Sequence, residues 1–196
     1  MHPSPPYSAV ILAGGRAARL GGRDKPQLEV GGRTMLGSVL DAVSGAVRRI
    51  VVGPPQEAPA DVVFTREERA GAGPVAAVRA GLAVVRTDVV AVLAADLPFL
   101  TGDLIDRLRS SLDGDGVLVV DDTGRDQLLL GVWRTTALAG AVADPAAPAA
   151  LHRALAGLDV RRLRPDVAAG HPAPWTDCDT PEELARARAV ARGGTG

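Results

Sequence analysis

The sequence predicts an α/β fold: a three-layer α/β/α sandwich around a wound, mostly parallel sheet. Three observations predict it. Short apolar runs of strand length alternate with patterns of helical period. One of those runs, Val89 to Ala95, is apolar at seven consecutive positions, as expected of a strand covered by helices on both faces. A chain of 196 residues also fits one domain able to bury a full core, so 1–196 reads as a single domain with 1–7 and 193–196 as flexible ends.

Taken in order, Ser8 to Ala13 reads as a short buried strand. Gly14 to Thr34 shows no regular pattern, and a loop this long in a compact domain usually serves a function. Met35 to Val47 is helical by the spacing of Met35, Leu36, Val39, Leu40 and Val43. Ile50 to Val52 and Val62 to Phe64 are short β-branched strands. Pro74 to Val85 is a helix with proline at the favoured first position, and Val89 to Ala95 is the buried strand. Thr101 to Leu112 is a helix capped by Thr101, and Val117 to Val120 is another strand. Gln127 to Trp133 is extended, Thr135 to Val142 and Ala149 to Leu158 are helical, and Val160 to Leu163 is a last strand. Asp179, with Glu182 three residues on, reads as the cap of a terminal helix ending near Arg192. Pro54 to Ala60 and Asp144 to Pro148 are surface loops.

Composition removes several functions. A net charge of −1 gives no electrostatic footprint for nucleic acid, so phosphate binding needs a local site. Cys178 is the sole cysteine, which excludes an internal disulfide and a multi-cysteine metal cluster. No apolar run reaches bilayer length, and Met1 to Ser8 lacks the features of a secretory signal, so a cytoplasmic protein is expected. His2, His152 and His171 are scattered and read as exposed. Lys25 stands as the one lysine among 22 basic residues. A lysine is a compact point charge and an arginine a planar fork, so the two differ beside a phosphate.

The stretch from Leu12 to Lys25 holds four glycines and four basic residues. Glycine lets backbone N–H groups approach phosphate oxygens closely, and Arg19 and Lys25 supply positive charge. The pattern is neither a Walker A loop nor the dinucleotide fingerprint. On generic chemistry alone, a phosphate cradle and a flexible basic loop are equally open.

Leu12-Ala13-Gly14-Gly15, then Arg19-Leu20-Gly21-Gly22, then Asp24-Lys25, resembles the signature of the molybdenum cofactor guanylyltransferases (MobA-type NTP transferases). The resemblance implies the architecture of the nucleotide-diphospho-sugar transferases, which is Rossmann-like and GT-A-like, with a mostly parallel but mixed sheet. It also implies that Leu12, Ala13, Gly14 and Gly15 hold the nucleoside while Arg19 and Lys25 cradle the triphosphate. Leu20 replaces the family's usual methionine.

Asp96 follows the apolar strand directly, where open α/β sheets place ligands, and a carboxylate there suits Mg²⁺. The resemblance gives it the metal-ligand role and makes Arg19, Lys25 and Asp96 the catalytic set. Asp177 is the expected second metal ligand, because Asp179 is accounted for as a helix cap; the family commonly has asparagine at both positions. Gly71 to Leu82 resembles the family's Gly-Pro turn and helix. Glu67 falls near a nucleotide-contacting acid, and Gly53 stands where an asparagine is frequent near the base. Asp121, Asp122 and Gln127 fall where the acceptor is expected.

The implied reaction is transfer of GMP from GTP to molybdopterin or its molybdenum-loaded form, with release of pyrophosphate. A CTP-dependent cytidylyltransferase, a transferase for another phosphorylated acceptor and a degenerate nucleotide-binding protein are the alternatives. Mg²⁺ is the expected cofactor. The expected partners are GTP and the pterin, with transient contact with molybdenum-insertion proteins, no nucleic acid and no membrane. A monomer or weak homo-oligomer is expected.

Overall fold

The computed structural model describes residues 5–14, 19–20, 23–69, 71–144, 150–168 and 170–193. In chain order these form β1 (Tyr7–Leu12), β2 (Arg19–Leu20), β3 (Arg23–Asp24), β4 (Glu29–Val30), β5 (Arg33–Thr34), α1 (Met35–Ala42), β6 (Arg48–Val52), β7 (Val63–Thr65) and α2 (Pro74–Leu82). There follow β8 (Val89–Ala94), α3 (Gly102–Ser110), β9 (Gly116–Val120), β10 (Asp126–Arg134), α4 (Thr135–Ala141), α5 (Leu151–Ala154), β11 (Val160–Leu163) and α6 (Pro181–Gly193).

Strands β11-β9-β10-β8-β1-β6-β7, in that spatial order, make one seven-stranded sheet. β1 pairs in parallel with β6 and β8, β6 with β7, and β9 with β11. β10 runs antiparallel to both its neighbours, which makes the sheet mixed. Because side chains alternate along a strand, each inner strand feeds two cores. Ala9, Ile11, Ala91 and Leu93 face one side, packed with Leu36 and Leu40 of α1 and Ile105 and Leu108 of α3. Val10, Val90 and Val92 face the other, packed with Val75 and Val78 of α2 and Leu138 of α4. That is the three-layer arrangement the apolar runs predict.

Boundaries differ where apolar period outlasts helical geometry. α1 ends at Ala42 rather than near Val47, α2 at Leu82 rather than Val85, and α5 covers only Leu151–Ala154. Thr101 caps α3 as expected, accepting from Leu104 N–H at 3.4 Å. Tyr7, expected in a flexible end, is instead 2% exposed and lies inside β1, with the Arg109 guanidinium 4.2 Å above its ring. Gly193 likewise closes α6. Residues 1–4 and 194–196 of the expected flexible ends lie outside the described residues, as do 145–148 of the expected loop from Asp144.

A third apolar cluster joins Leu28, Val30 and Met35 to Cys178, Leu184 and Ala187. It fastens α6 and the segment before it to the start of α1. No described helix is long and apolar enough to cross a membrane.

Gly81 tests how tightly α2 lies on the sheet. A Cβ there would meet Val10 Cγ1 at 2.3 Å and Val52 Cγ2 at 3.1 Å, and valine is stiff at χ1. Alanine gains about 1 kcal/mol of helix propensity over glycine, while overpacking a filled core costs about 1–3 kcal/mol. Gly81→Ala is therefore expected to lower the urea midpoint with an unchanged m-value. A higher midpoint would show that the interface gives way freely.

Candidate active site

Leu12 pairs with Ala94 in parallel register, so the carboxyl ends of β1 and β8 lie side by side. From β1 the chain winds outward to β6 and β7 on one flank, then crosses back to β8 on the other. The crevice between β1 and β8 is thus the point where the winding reverses, which is where open α/β sheets bind ligands. The glycine-rich segment leaves β1 at this crevice, and Asp96 leaves β8. Ala13 N–H donates to Val52 O at 2.9 Å and Ala95 N–H to Leu12 O at 3.1 Å, holding both exits in place.

The segment after β1 is less irregular than its sequence suggests. It contains two short antiparallel pairs, β2 with β3 and β4 with β5, and a 3₁₀ turn over Lys25–Gln27. Leu28 sits in the third apolar cluster, which pins the turn and brings Lys25 to the crevice. Lys25 is only 4% exposed. Its Nζ donates to Asp96 Oδ2 and, at 2.5 Å, to Asp179 Oδ1. Burial alone pulls its pKa down. The charge of Asp96 and the hydrogen bonds to Asp179 and Asp96 outweigh that, so the pKa lies above its ordinary value and the ammonium stays protonated near neutral pH.

Asp179 corrects the sequence reading. The cap of α6 is Thr180: its Oγ1 accepts from Glu183 N–H at 3.2 Å, and Glu183 Oε2 accepts from Thr180 N–H at 2.9 Å. That reciprocal pair is a capping box, shifted one residue from the expected one. Asp179 is thereby released to meet Lys25. Thr180 and Glu183 carry the same capping spacing as Asp179 and Glu182, so the sequence holds both caps and does not choose between them. Cys178 between the two aspartates is fully buried. Burial, then the charge of Asp96, pushes its thiol pKa up to about 11, so it anchors rather than reacts. Asp177, on the other side of Cys178, does not bond to Lys25. Its carboxyl pKa is raised, first by partial burial and then by the like charges of Asp179 and Asp96.

A cleft of about 340 Å³ opens at the crevice. Leu12, Ala13 and Gly14 line it together with Glu67, Gly73 and Pro74, and Lys25, Asp96 and Asp179 line it too. Glu67 Oε1 accepts from Gly71 N–H at 3.1 Å, which steadies its carboxylate at the cleft. Gly15 lies outside the described residues, and of Arg19 only the backbone, in β2, is described. Gly53 does not line the cleft but lies beneath its edge. With φ at +155°, a Cβ there would come within 3.0–3.2 Å of Ala13 C and O and Gly14 N.

A second cleft, of about 410 Å³, is lined by Asp126 to Leu130, Leu151, Asp177, and again by Asp96 and Asp179. The two clefts share Asp96 and Asp179 and therefore meet at the lysine. Gln127 lines the second cleft, whereas Asp121 and Asp122 do not. Asp121 instead organises a turn. Its Oδ1 accepts from Thr123 N–H at 2.9 Å, Thr123 Oγ1 at 2.7 Å and Arg125 N–H at 2.9 Å, and its Oδ2 accepts from Gln127 Nε2 at 2.8 Å. His152 and His171 are exposed, as expected, and His2 lies outside the described residues. Among the described residues no three His, Cys, Asp or Glu side chains form a ready-made metal cage.

Fold and site together are those of an α/β nucleotidyltransferase. The chain belongs to the MobA-like NTP transferase family, whose domain model matches residues 9–166. The molybdenum cofactor guanylyltransferase of Rhodopseudomonas palustris strain BisB5 is 31% identical over 212 aligned positions, covering 97% of this chain and 95% of that one. The protein of the same name from Pseudomonas putida is 36% identical, over 65% of this chain and 70% of its own. Two solved structures share the fold. Molybdopterin-guanine dinucleotide biosynthesis protein A from Archaeoglobus fulgidus superposes with a TM-score of 0.72 at 20% identity, over 95% of this chain and 99% of that one. The 2-C-methyl-D-erythritol 4-phosphate cytidylyltransferase of Thermus thermophilus gives 0.67 at 22% identity, over 93% and 98%.

The hydrogen bonds to Asp121 hold its pKa down to about 2 from an ordinary 3.8, the Thr123 hydroxyl contributing most. A carboxylate whose folded-state pKa is depressed adds stability above its unfolded value, and that stability is lost as pH falls through the folded one. Asp121 therefore stabilises the fold above about pH 4, with the loss falling between about pH 4 and 2. Asp121→Asn is expected to flatten the acid limb of stability against pH in that window, read by urea unfolding at several pH values. An unaltered limb would show that the turn forms without the charge.

Proposed function

We propose that this chain transfers GMP from GTP to molybdopterin or its molybdenum-loaded form and releases pyrophosphate. The observation that carries the reading is the meeting of two clefts at Lys25, Asp96 and Asp179. One cleft has a glycine-rich wall suited to a nucleoside triphosphate; the other leaves room for an acceptor beside the same acids. An oxygen of the acceptor's terminal phosphate bonds to the α-phosphorus of GTP, the bond from that phosphorus to the β-phosphate bridge breaks, and pyrophosphate departs with the electron pair. A phosphomonoester has a second pKa of about 6, so the nucleophile is already anionic and no general base is needed. The protein's work is position and charge.

In this reading Leu12, Ala13, Gly14 and Gly15 hold the nucleoside, and Arg19 and Lys25 neutralise the triphosphate. Glu67 accepts hydrogen bonds at the base, and Gly53 lets the Ala13–Gly14 backbone lie close. Magnesium suits the donor set, since Asp96, Asp177 and Asp179 offer hard carboxylate oxygens and crowd more negative charge together than Lys25 offsets. Magnesium commonly takes one or two carboxylates and completes its shell with waters and phosphates, so a full protein cage is not required. When bound it would supply Lewis-acid stabilisation at the α-phosphate. Asp96 and Asp177 are the proposed ligands, and Asp179 keeps Lys25 directed at the junction.

Lys25→Ala is expected to lower kcat by on the order of 100-fold or more, as for removal of one charge-stabilising contact. Pyrophosphate release measures it, and near-normal turnover removes Lys25 from the mechanism. Binding is tested separately by thermal shift with a nucleotide panel plus Mg²⁺. GTP at ~100 times its Kd stabilises by about 2.7 kcal/mol, so GTP is expected to raise the melting temperature. A response to CTP alone would reassign the base, and no response to any nucleotide would overturn the enzyme.

A further inference from the structure

Gln127 owes its place to an irregularity of the sheet. β10 pairs with β9 at Asp126–Val120 and Gln127–Val119, and pairing resumes only at Gly131–Leu118. Three extra residues, Leu128 to Leu130, are thus accommodated in β10 beside the end of β8, where Leu130 pairs with Leu93. Bulges of this kind are frequent next to active sites, where they re-aim side chains. Here the bulged residues and Leu151 give the second cleft an aliphatic wall, with Gln127 at its polar end and Asp96 and Asp179 at the junction with the first.

The amide of Gln127 is oriented by chemistry rather than by packing alone. Asp121 as a carboxylate only accepts hydrogen bonds. The bond between them at 2.8 Å therefore requires the –NH₂ end of Gln127 to face Asp121. Asp121 is itself fixed by Thr123 and Arg125 N–H and cannot turn away without losing three other bonds. Gln127 is left with its carbonyl Oε1 as an acceptor, and among the described residues that oxygen has no partner within the protein.

We infer that Gln127 is a specificity-determining residue for the acceptor: its Oε1 accepts a hydrogen bond from a ring or exocyclic N–H of a planar nitrogen heterocycle lying against the Leu128, Leu129 and Leu151 wall, and Asp121 is the positioning residue that sets the amide's direction. The inference rests on the transfer reaction proposed above. An aliphatic wall with a fixed amide acceptor beside it suits a flat, apolar-faced ring with edge donors, as small-molecule sites pair apolar walls with a few placed polar groups. A bare sugar phosphate presents hydroxyls but no such face.

Steady-state kinetics with GTP, Mg²⁺ and purified molybdopterin test it in three variants, alongside titration of molybdopterin read by isothermal calorimetry. Gln127→Ala is expected to raise KM and Kd for molybdopterin about tenfold, the loss of one hydrogen bond, with KM for GTP unchanged. Asp121→Asn, which can offer its own –NH₂ and let the amide reverse, is expected to move the same two constants in the same direction by a smaller factor. Gln127→Glu, an acceptor set against an acceptor, is expected to lose the orientation and behave like the alanine variant. Unchanged molybdopterin constants in Gln127→Ala, or equal losses for GTP and molybdopterin, would overturn the inference. If the wild-type chain itself fails to turn over molybdopterin while binding GTP, the proposed reaction falls first, and the calorimetric titration then decides whether Gln127 contacts a pterin.

Discussion

The site is organised around one ammonium group held between two carboxylates. Lys25 comes from the segment after the first strand, Asp96 from the tip of β8 and Asp179 from the approach to the last helix. Three distant stretches of chain thus converge on Lys25. A buried cation without partners would be expensive and would shed its proton; with both acids in place Lys25 stays charged. The same contacts draw the loop, the strand tip and the C-terminal motif together, so the geometry of the cleft and the charge state of its lysine are one property.

Apolar packing does the holding. Leu28 follows the turn that carries Lys25, Cys178 lies between Asp177 and Asp179, and both are buried in the cluster that includes Met35, Leu184 and Ala187. Alternation about Cys178 then sends its acidic neighbours toward the clefts. The chain as a whole has almost no net charge, yet three acids and one lysine are concentrated here. Crowding like charges in a partly desolvated site raises the cost of ionising the last of them, and Asp177 shows this in its raised pKa.

The sheet explains why both clefts open at one end. Parallel strands β1 and β8 bring two carboxyl ends together at the reversal of winding, while antiparallel β10 lies on the far side of β8. Its three-residue bulge supplies Leu128 to Leu130 to the aliphatic wall of the cleft that Asp96 also lines. The second cleft therefore depends on a break in regular pairing rather than on a separate domain. Membership of the MobA-like NTP transferase family fits this plan, since nucleotide and acceptor must be held on either side of one phosphorus.

Much was legible in the sequence. Unbroken apolar strands and helical spacing determined the layers and the order of the elements outside 14–34, and residue type pointed to Lys25 and Asp96, which the fold brings into contact, because periodicity and residue type are local properties. Helix ends were less legible, because apolar period continues past Ala42 and Leu82 while the backbone tightens from i→i−4 bonds, the last from Val43 and Ala83, into i→i−3 turns. Asp179 was hidden by an ambiguity the sequence cannot resolve: Asp179 and Thr180 are both good caps, and the choice between them is made by whether Glu183 reaches Thr180 and Lys25 reaches Asp179. The burial of Tyr7, the bulge in β10 and the clamp of Gln127 by Asp121 likewise depend on partners far along the chain or across strands. Pattern can name such residues, but only tertiary structure decides which side chain meets which, since each of these pairings is a competition between partners that the fold alone brings within reach.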